Sequence, residues 1–337
     1  WGGVQQSAGH RVEDLPRGVI PMFRTSWVAI AVLTLVQVFL VGRAANAAST
    51  STYLPAAERI VAVGDLHGDF EATRRVLRLA GVIDEADHWA GGDLVFVQTG
   101  DVLDRGSGEQ AILDLLERLA DEAAAVGGAV YVLNGNHEVM NAALDLRYVT
   151  EGGFADFEDA VVFNEEDSTL SEYPVEQRAR VVALRPGGPY ARLLADHNAV
   201  LVIGSNVFVH GGLLPEHLDY GLERINEVIR AWLAGEGPNP EWIHRKGSPV
   251  WTRRYSDEPD ADACETLAVV LSRLGASRMI VGHTVQENGI TSYCDGRVWC
   301  IDVGMSAHYG GEPQALEIVG DSVRVLREEP IPAEVTR

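Results

Sequence analysis

The sequence predicts an α/β protein: two packed sheets of buried strands with helices outside. Two observations predict it. In the first half, short apolar runs alternate with helical patterns, the signature of βα units around buried strands. In the second half the runs come in pairs around turn residues, Asp295-Gly296 and Gly320-Asp321, as β-hairpins do. With 337 residues and 46 % hydrophobic side chains, the chain can bury a sizeable core and is not disordered as a whole.

In chain order, residues 60–63 read as a strand, followed by a glycine-rich loop and a helical pattern through Ala80. Residues 94–99 form a second strand, whose loop leads to a helix at 109–124 with Ile112, Leu115, Leu116 and Leu119 on one core-facing stripe. Residues 129–133 are a third strand of the same design. The stretch 141–198 is acidic, contains glycine and is weakly periodic, which predicts an insertion acting as a cap or binding loop. Strands follow at 199–203 and 207–209, then at 279–281, then as hairpins 291–294 with 297–303 and 316–319 with 323–326. The folded domain is expected over 59–328, with a Pro- and Glu-rich tail at 329–337.

The amino terminus reads as processing sequence. The run 27–41 is apolar and uncharged, Arg24 precedes it, and Ala45-Asn46-Ala47 supplies small residues at cleavage-site spacing. This predicts a signal peptide at 22–47 beginning at Met22, with 1–21 as a non-native upstream extension, and hence export to a periplasmic or secreted location. An uncleaved anchor is the alternative, although about 15 apolar residues fall short of the ~20 of a membrane span; no stable span is expected after removal. The formal net charge is −22, with Lys246 the only lysine, so a general affinity for nucleic acid is not expected. Three cysteines, Cys264, Cys294 and Cys300, leave at least one unpaired; a two-residue turn pairs position 294 with Arg297 and not with Cys300, so no bridge is predicted.

Five segments carry chemistry: Gly64-Asp65-Leu66-His67-Gly68, Gly100-Asp101-Val102-Leu103-Asp104-Arg105-Gly106, Gly135-Asn136-His137-Glu138, His210-Gly211-Gly212 and Gly282-His283-Thr284. Each follows a predicted strand, and loops at the carboxyl ends of strands are where open α/β folds build their sites. Asp65, His67, Asp101, Asn136, His210 and His283 offer carboxylate, imidazole and amide oxygen without thiolate, a set suited to manganese, iron or zinc. Six ligands exceed the needs of one catalytic ion but serve two if Asp101 bridges: Asp65, His67 and Asp101 for one, Asp101, Asn136, His210 and His283 for the other. Two ions ~3.5–4 Å apart can share a hydroxide and clamp a phosphoryl group for in-line displacement. Arg105 offers a fork of donors for phosphate oxygens. His137, beside Asn136, is placed to protonate the leaving oxygen, and Asp104 can pair with it and keep it protonated.

These motifs, in this order over roughly residues 59–310, resemble the phosphoprotein phosphatases among the calcineurin-like metallophosphoesterases. The continuation His137-Glu138-Val139-Met140-Asn141, then Asp145-Leu146-Arg147-Tyr148-Val149-Thr150, and the late Asp302-Val303-Gly304-Met305-Ser306 are similar to the Shewanella-like phosphatase branch. The resemblance implies a four-layer α/β/β/α sandwich, a dinuclear centre, dephosphorylation without a phosphoenzyme, and phosphotyrosine as the leading substrate. It also implies a second phosphate-binding arginine, for which Arg253 and Arg147 are rivals; Asn136 stands with Arg105 among the substrate-binding residues.

Each motif alone has a plainer explanation, since a lone Gly-His is usually a turn; five in order after strands do not. His88, His197, His217 and His244 read as structural, and the acidic run 156–167 as a solvated face. Three functions follow from the same centre: a protein phosphatase acting on phosphorylated proteins or peptides, a small-molecule enzyme such as a nucleotide phosphatase or dinucleoside-polyphosphate hydrolase, or a non-catalytic metal-binding module. Arg105 and His137 speak against the last.

Overall fold

The computed structural model describes residues 50–164 and 168–328, so the expected extension, signal peptide and tail lie outside the described residues. The chain enters through a two-residue strand, β1 (Tyr53–Leu54), too short to leave a periodic signal. Then come β2 (Arg59–Val63), α1 (Phe70–Leu79), β3 (Val95–Gln98), α2 (Glu109–Ala124), β4 (Ala129–Val132) and α3 (Asn136–Ala142). The segment after α3 holds α4 (Glu151–Ala155), α5 (Val175–Leu184) and α6 (Pro189–Ala195). The second half contributes β5 (Val200–Ile203), β6 (Asn206–Val209), α7 (Pro215–Tyr220), α8 (Leu222–Leu233), α9 (Ala261–Leu274) and β7 (Arg278–Val281). It closes with β8 (Thr291–Tyr293), β9 (Val298–Cys300), β10 (Gln314–Val319) and β11 (Ser322–Arg327).

These strands make two mixed sheets, ordered β11-β10-β2-β3-β4 and β1-β5-β6-β7-β9-β8. β2, β3 and β4 pair in parallel, as do β6, β7 and β9. Period-two alternation sorts the side chains of each strand. Ile60, Ala62, Val97, Leu316 and Ile318 of the first sheet meet Leu201, Ile203, Phe208, Ile280 and Ile301 of the second in one apolar layer. The alternate residues, Val61, Val63 and Phe96 among them, turn outward against the helices with Leu77, Ile112 and Leu116. Both faces are thus buried, which is why the strands read as continuous apolar runs and not as alternating ones. The fold is the expected α/β one, two mixed sheets flanked by helices.

Two regions differ from the sequence reading. The 141–198 segment is not only a surface insertion: Ala183, Leu184, Leu194 and Ala195, from α5 and α6, belong to the main core. Its periodicity is weak because the buried face of α5 carries a charged residue, Arg180, fully buried beside Ala183 and Leu184. The unpredicted disulfide joins Cys264, on α9, to Cys294, at the end of β8, with Cα atoms 5.3 Å apart; Cys300 is buried and free. Turn geometry considers only neighbours along the hairpin, whereas the bridge reaches across from a helix 30 residues upstream.

Candidate metal centre

Every predicted ligand stands on a loop that leaves a strand's carboxyl end. β2 leads to Asp65 and His67, β3 to Asp101, Asp104 and Arg105, β4 to Asn136 and His137, β6 to His210 and β7 to His283. Parallel neighbours point these ends the same way, so the five loops meet. The six ligand candidates are all buried, the most exposed being His283 at 6 %. Backbone sterics are bent to bring them there. Ten non-glycine residues among those described have positive φ, and five of them are His67, Asp101, Asp104, Arg105 and His283. Such conformations cost on the order of 1–3 kcal/mol each and persist where surrounding structure holds them. Glycine is required at two close approaches: a Cβ at Gly282 would lie 2.5 Å from Asp65 Oδ1, and one at Gly135 would collide with Asp101 Oδ1.

Asp101 is the hub. Its Oδ2 lies 3.1 Å from His210 Nε2, 3.9 Å from His67 Nε2 and 3.8 Å from His137 Nε2. Asp65 Oδ2 lies 3.8 Å from His67 Nε2, and Asn136 Oδ1 lies 2.9 Å from His210 Nε2. Two groups have ligand atoms close enough to share a cation: Asp101 with His67 and His137, and Asp101 with His210 and His283. Donors around one ion at about 2.1 Å stand roughly 3–4 Å apart, so the spacing fits. The outer contacts fit as well. His67 Nδ1 rests on Leu103 O at 3.0 Å, His210 Nδ1 on Thr99 O at 2.9 Å and His283 Nε2 on Trp251 O at 3.1 Å. Each imidazole is thereby oriented by a backbone carbonyl with its other nitrogen left for the cluster, as metal-binding histidines usually are. One contact competes: Arg105 Nη1 lies 2.8 Å from His67 Nε2, so a cation there requires the guanidinium to shift.

The electrostatics also call for positive charge. Burial, then the neighbouring carboxylate of Asp302, pushes Asp65 well above the usual carboxylate range. Burial raises Asp302 itself to about 6. Burial would raise Asp101 too, but His210 and His137 outweigh it and hold it well below its ordinary value. Burial pushes His67 down to about 3 and His283 to about 2, which keeps both imidazoles neutral and able to ligate. For His210 the charges of Asp101 and Asp65 overcome burial and raise it to about 10. A cation bound among these buried carboxylates would relieve the repulsion that raises Asp65 and Asp302.

Around the cluster stand the predicted substrate groups. His137 Nδ1 lies 2.5 Å from Asp104 Oδ2. Burial alone would lower the His137 value, but the charges of Asp101 and Asp104 raise it. Arg105, half-buried, lies between the rings of Tyr148 and Tyr309, with its Cζ 5.2 and 5.1 Å from their centroids. A groove of about 610 Å³ runs past Arg105 between Asp69, Phe70, Ser107, Thr150 and Ser306. Of the rival arginines, Arg253 donates from Nη1 to His283 O and Thr284 Oγ1, at 2.7 and 2.8 Å, and so stands at the edge of the centre. Arg147 is exposed and pairs with Asp145 through Nε and Nη2, and no contact draws it to the cluster among the described residues.

Sequence reasoning missed three supporting residues. Glu138 accepts from the N–H groups of Asp101, Val102, Leu103 and Gly135 at 2.7–3.1 Å, locking two ligand loops together. Its place at the third position of a short helix was a signal, since a Glu there reaches back to the helix start. Glu109 accepts from Asp104 N at 2.5 Å, and Arg180 pairs with Glu109 and Asp104. The sign of Arg180 was a charge on the apolar face of a helix. The expected structural histidines do pair elsewhere: His88 with Glu122, His197 with Glu117, His217 with Leu214 N and His244 with Asn239.

Comparison with known proteins bears on this arrangement. The calcineurin-like phosphoesterase family model matches residues 58–287. Shewanella-like protein phosphatase 2 of Arabidopsis thaliana is 44 % identical over 308 residues, covering 81 % of this chain and 78 % of the relative. Shewanella-like protein phosphatase 1 of Plasmodium berghei is 28 % identical over 282 residues, covering 80 % and 74 %. Among solved structures, the cold-active protein-tyrosine phosphatase of a psychrophilic Shewanella species matches with a TM-score of 0.65 at 23 % identity, over 82 % of each chain, a likeness of fold.

Proposed function

This chain belongs to the calcineurin-like phosphoesterase family and is a metal-dependent phosphatase, and from that premise we propose that it is a dinuclear protein phosphatase leaning toward phosphotyrosine. The observation that carries the dinuclear reading is the position of Asp101 between two sets of imidazoles, with His67 on one side and His210 and His283 on the other. Asp65, His67, Asp101, Asn136, His210 and His283 would hold the ions. Divalent cations there would supply a nucleophile at neutral pH and polarise the phosphoryl oxygens. The chain's own residues do the rest. Arg105 binds the phosphate, stiffened by the two tyrosine faces that flank it. His137 donates the proton on Nε2 to the leaving oxygen, while Asp104 on Nδ1 fixes its ring and favours its protonated form.

Phosphotyrosine is supported by the aromatic faces of Tyr148 and Tyr309 at Arg105, where a phenyl leaving group can stack. A protein substrate, in preference to a nucleotide, is supported by the groove beside Arg105. Its walls are backbone, the hydroxyls of Ser107, Thr150 and Ser306, the Phe70 ring, the imidazoles of His67 and His308 and the carboxylates of Asp69 and Glu71, without the amide side chains that read a base. The name of the Arabidopsis relative points the same way. Arg253, held at the His283 loop, is the better placed second clamp. The disulfide supports export, because such bonds persist in oxidising compartments; among the described residues no helix is long and apolar enough to cross a membrane.

The test is hydrolysis of phosphotyrosine, phosphoserine and phosphothreonine peptides beside a nucleotide panel, with manganese, iron or zinc added in turn. The expected result is metal-dependent activity highest on phosphotyrosine peptides. Preference for nucleotides overturns the protein-phosphatase reading, and activity surviving exhaustive chelation overturns the dinuclear one.

A further inference from the structure

Arg180 belongs to none of the metal-bearing loops, yet every donor of its guanidinium is engaged. Nε donates to Asn141 Oδ1 at 2.9 Å. Nη1 donates to Glu109 Oε2 and to Gly153 O. Nη2 donates to Asp104 Oδ1 at 3.2 Å and to Glu109 Oε1 at 3.3 Å. Those are all five N–H groups the side chain has. The Phe157 ring covers its face, with Cζ 4.9 Å from the centroid. Arg180, Asp104, Glu109 and Asn141 are each 0 % exposed.

The partners converge on one carboxylate. Asp104 Oδ1 accepts from Arg180 Nη2 and from Asn141 Nδ2, the latter at 2.9 Å. The backbone N–H of Asp104 is held by Glu109, itself gripped by Arg180. With Oδ1 and the backbone occupied, Oδ2 is the oxygen left to face His137 Nδ1. Asn141 ties the other side of the pair as well, donating to His137 O at 2.9 Å. A buried cation among buried carboxylates is costly to assemble, and it is far costlier to leave unmatched.

We infer that Arg180 is a positioning residue for proton donation: a helix outside the catalytic loops fixes the Asp104 carboxylate that aims His137 at the leaving group. The inference rests on His137 being the acid, as proposed above. It predicts an effect that grows with the leaving group's need for a proton. Aryl leaving groups such as p-nitrophenolate depart without help, whereas the alkoxide of phosphoserine does not.

The experiment compares kcat for p-nitrophenyl phosphate and a phosphoserine peptide in the wild type, His137→Asn and the double variant Arg180→Gln/Glu109→Gln, which removes both charges of the buried pair and keeps amides in their place. Thermal unfolding verifies that each is folded. The double variant is expected to lose about ten-fold more on phosphoserine than on p-nitrophenyl phosphate, part of the 10²–10⁴ that an acid supplies. Arg180→Lys, which keeps the charge but not the five-donor fork, is expected to show a smaller discrimination of the same sign and is read alone where the double variant does not fold. Equal losses on both substrates, or none, in a folded Arg180 variant while His137→Asn discriminates between them overturn the positioning role of Arg180. Absence of discrimination in His137→Asn instead overturns the acid reading beneath it.

Discussion

The loops of the first sheet and those of the second reach the same centre but are secured in opposite ways. β2 and β3 deliver the carboxylates and β4 the Asn136 amide and the His137 ring, and further buried carboxylates hold their loops: Glu138 gathers four backbone N–H groups and Glu109 holds Asp104. β6 and β7 deliver two imidazoles, each steadied by a backbone carbonyl, and the disulfide lies on the far flank of the same sheet. The first half therefore concentrates the Asp65 and Asp101 carboxylates and the His137–Asp104 pair, while the second supplies imidazoles on a cross-linked frame. The difference teaches where sensitivity should lie. Charge-changing substitutions in the first half disturb chemistry, and substitutions in the second disturb how firmly a cation or the fold is held.

The strongest way to break this comparison is at its junction. Asp101→Asn removes the carboxylate common to both ligand groups and is expected to lower kcat by roughly a thousand-fold or more and to reduce bound metal below two ions per chain. Full metal content with activity retained would remove Asp101 from its central place. Next is the second sheet's contribution. His283→Ala should cost about one bound ion per chain and roughly a hundred-fold in activity, in line with loss of a ligand; elemental analysis of the purified protein reads the first and steady-state rates the second. Should metal content be unchanged, the second sheet contributes packing only.

A third experiment sharpens the account of the first sheet through pH. The His137 value is raised because Asp101 and Asp104 outweigh burial. The acid must be protonated, so the rate falls as pH rises through that value. Asp104→Asn removes one of the raising charges, lowers the value, and shifts the descending limb for a phosphoserine peptide to lower pH. With p-nitrophenyl phosphate the limb stays where it is. An unmoved limb for both substrates would detach Asp104 from the acid. The smallest effect on activity is expected from Cys264→Ser with Cys294→Ser. Loss of a bridge closing about 30 residues should cost on the order of 3 kcal/mol of stability, read as a lower melting temperature, with kcat at 25 °C nearly unchanged.

What was legible in the sequence followed from how each residue works. The convergence of Asp65, His67, Asp101, Asn136, His210 and His283 could be read because a polar residue on a tight loop after a strand leaves a local mark, glycine beside a polar residue beside an apolar run. The strands could be read because burial on both faces makes them short and continuously apolar. Arg180 and the Cys264–Cys294 pair left no comparable mark, since their partners are 71 and 30 residues away and only the tertiary fold joins them. The 141–198 segment reads as weakly periodic for the same reason. A helix whose buried face includes an arginine looks non-periodic until the carboxylates waiting for that arginine are known.

The pairing of β10 with β2 sets the order in which this molecule can be completed. β2 carries Asp65 and has β3 on one side, but its other edge is closed by Leu316 opposite Ala62 and Ile318 opposite Ile60, contacts bridging some 250 positions of chain. Contacts this distant in sequence form late, because the intervening chain must first be gathered in. During synthesis the strand that leads to the first ligands therefore keeps an open edge until β10 has emerged. A chain stopped before Gln314 would present the ligand loops on a sheet whose β2 edge is open.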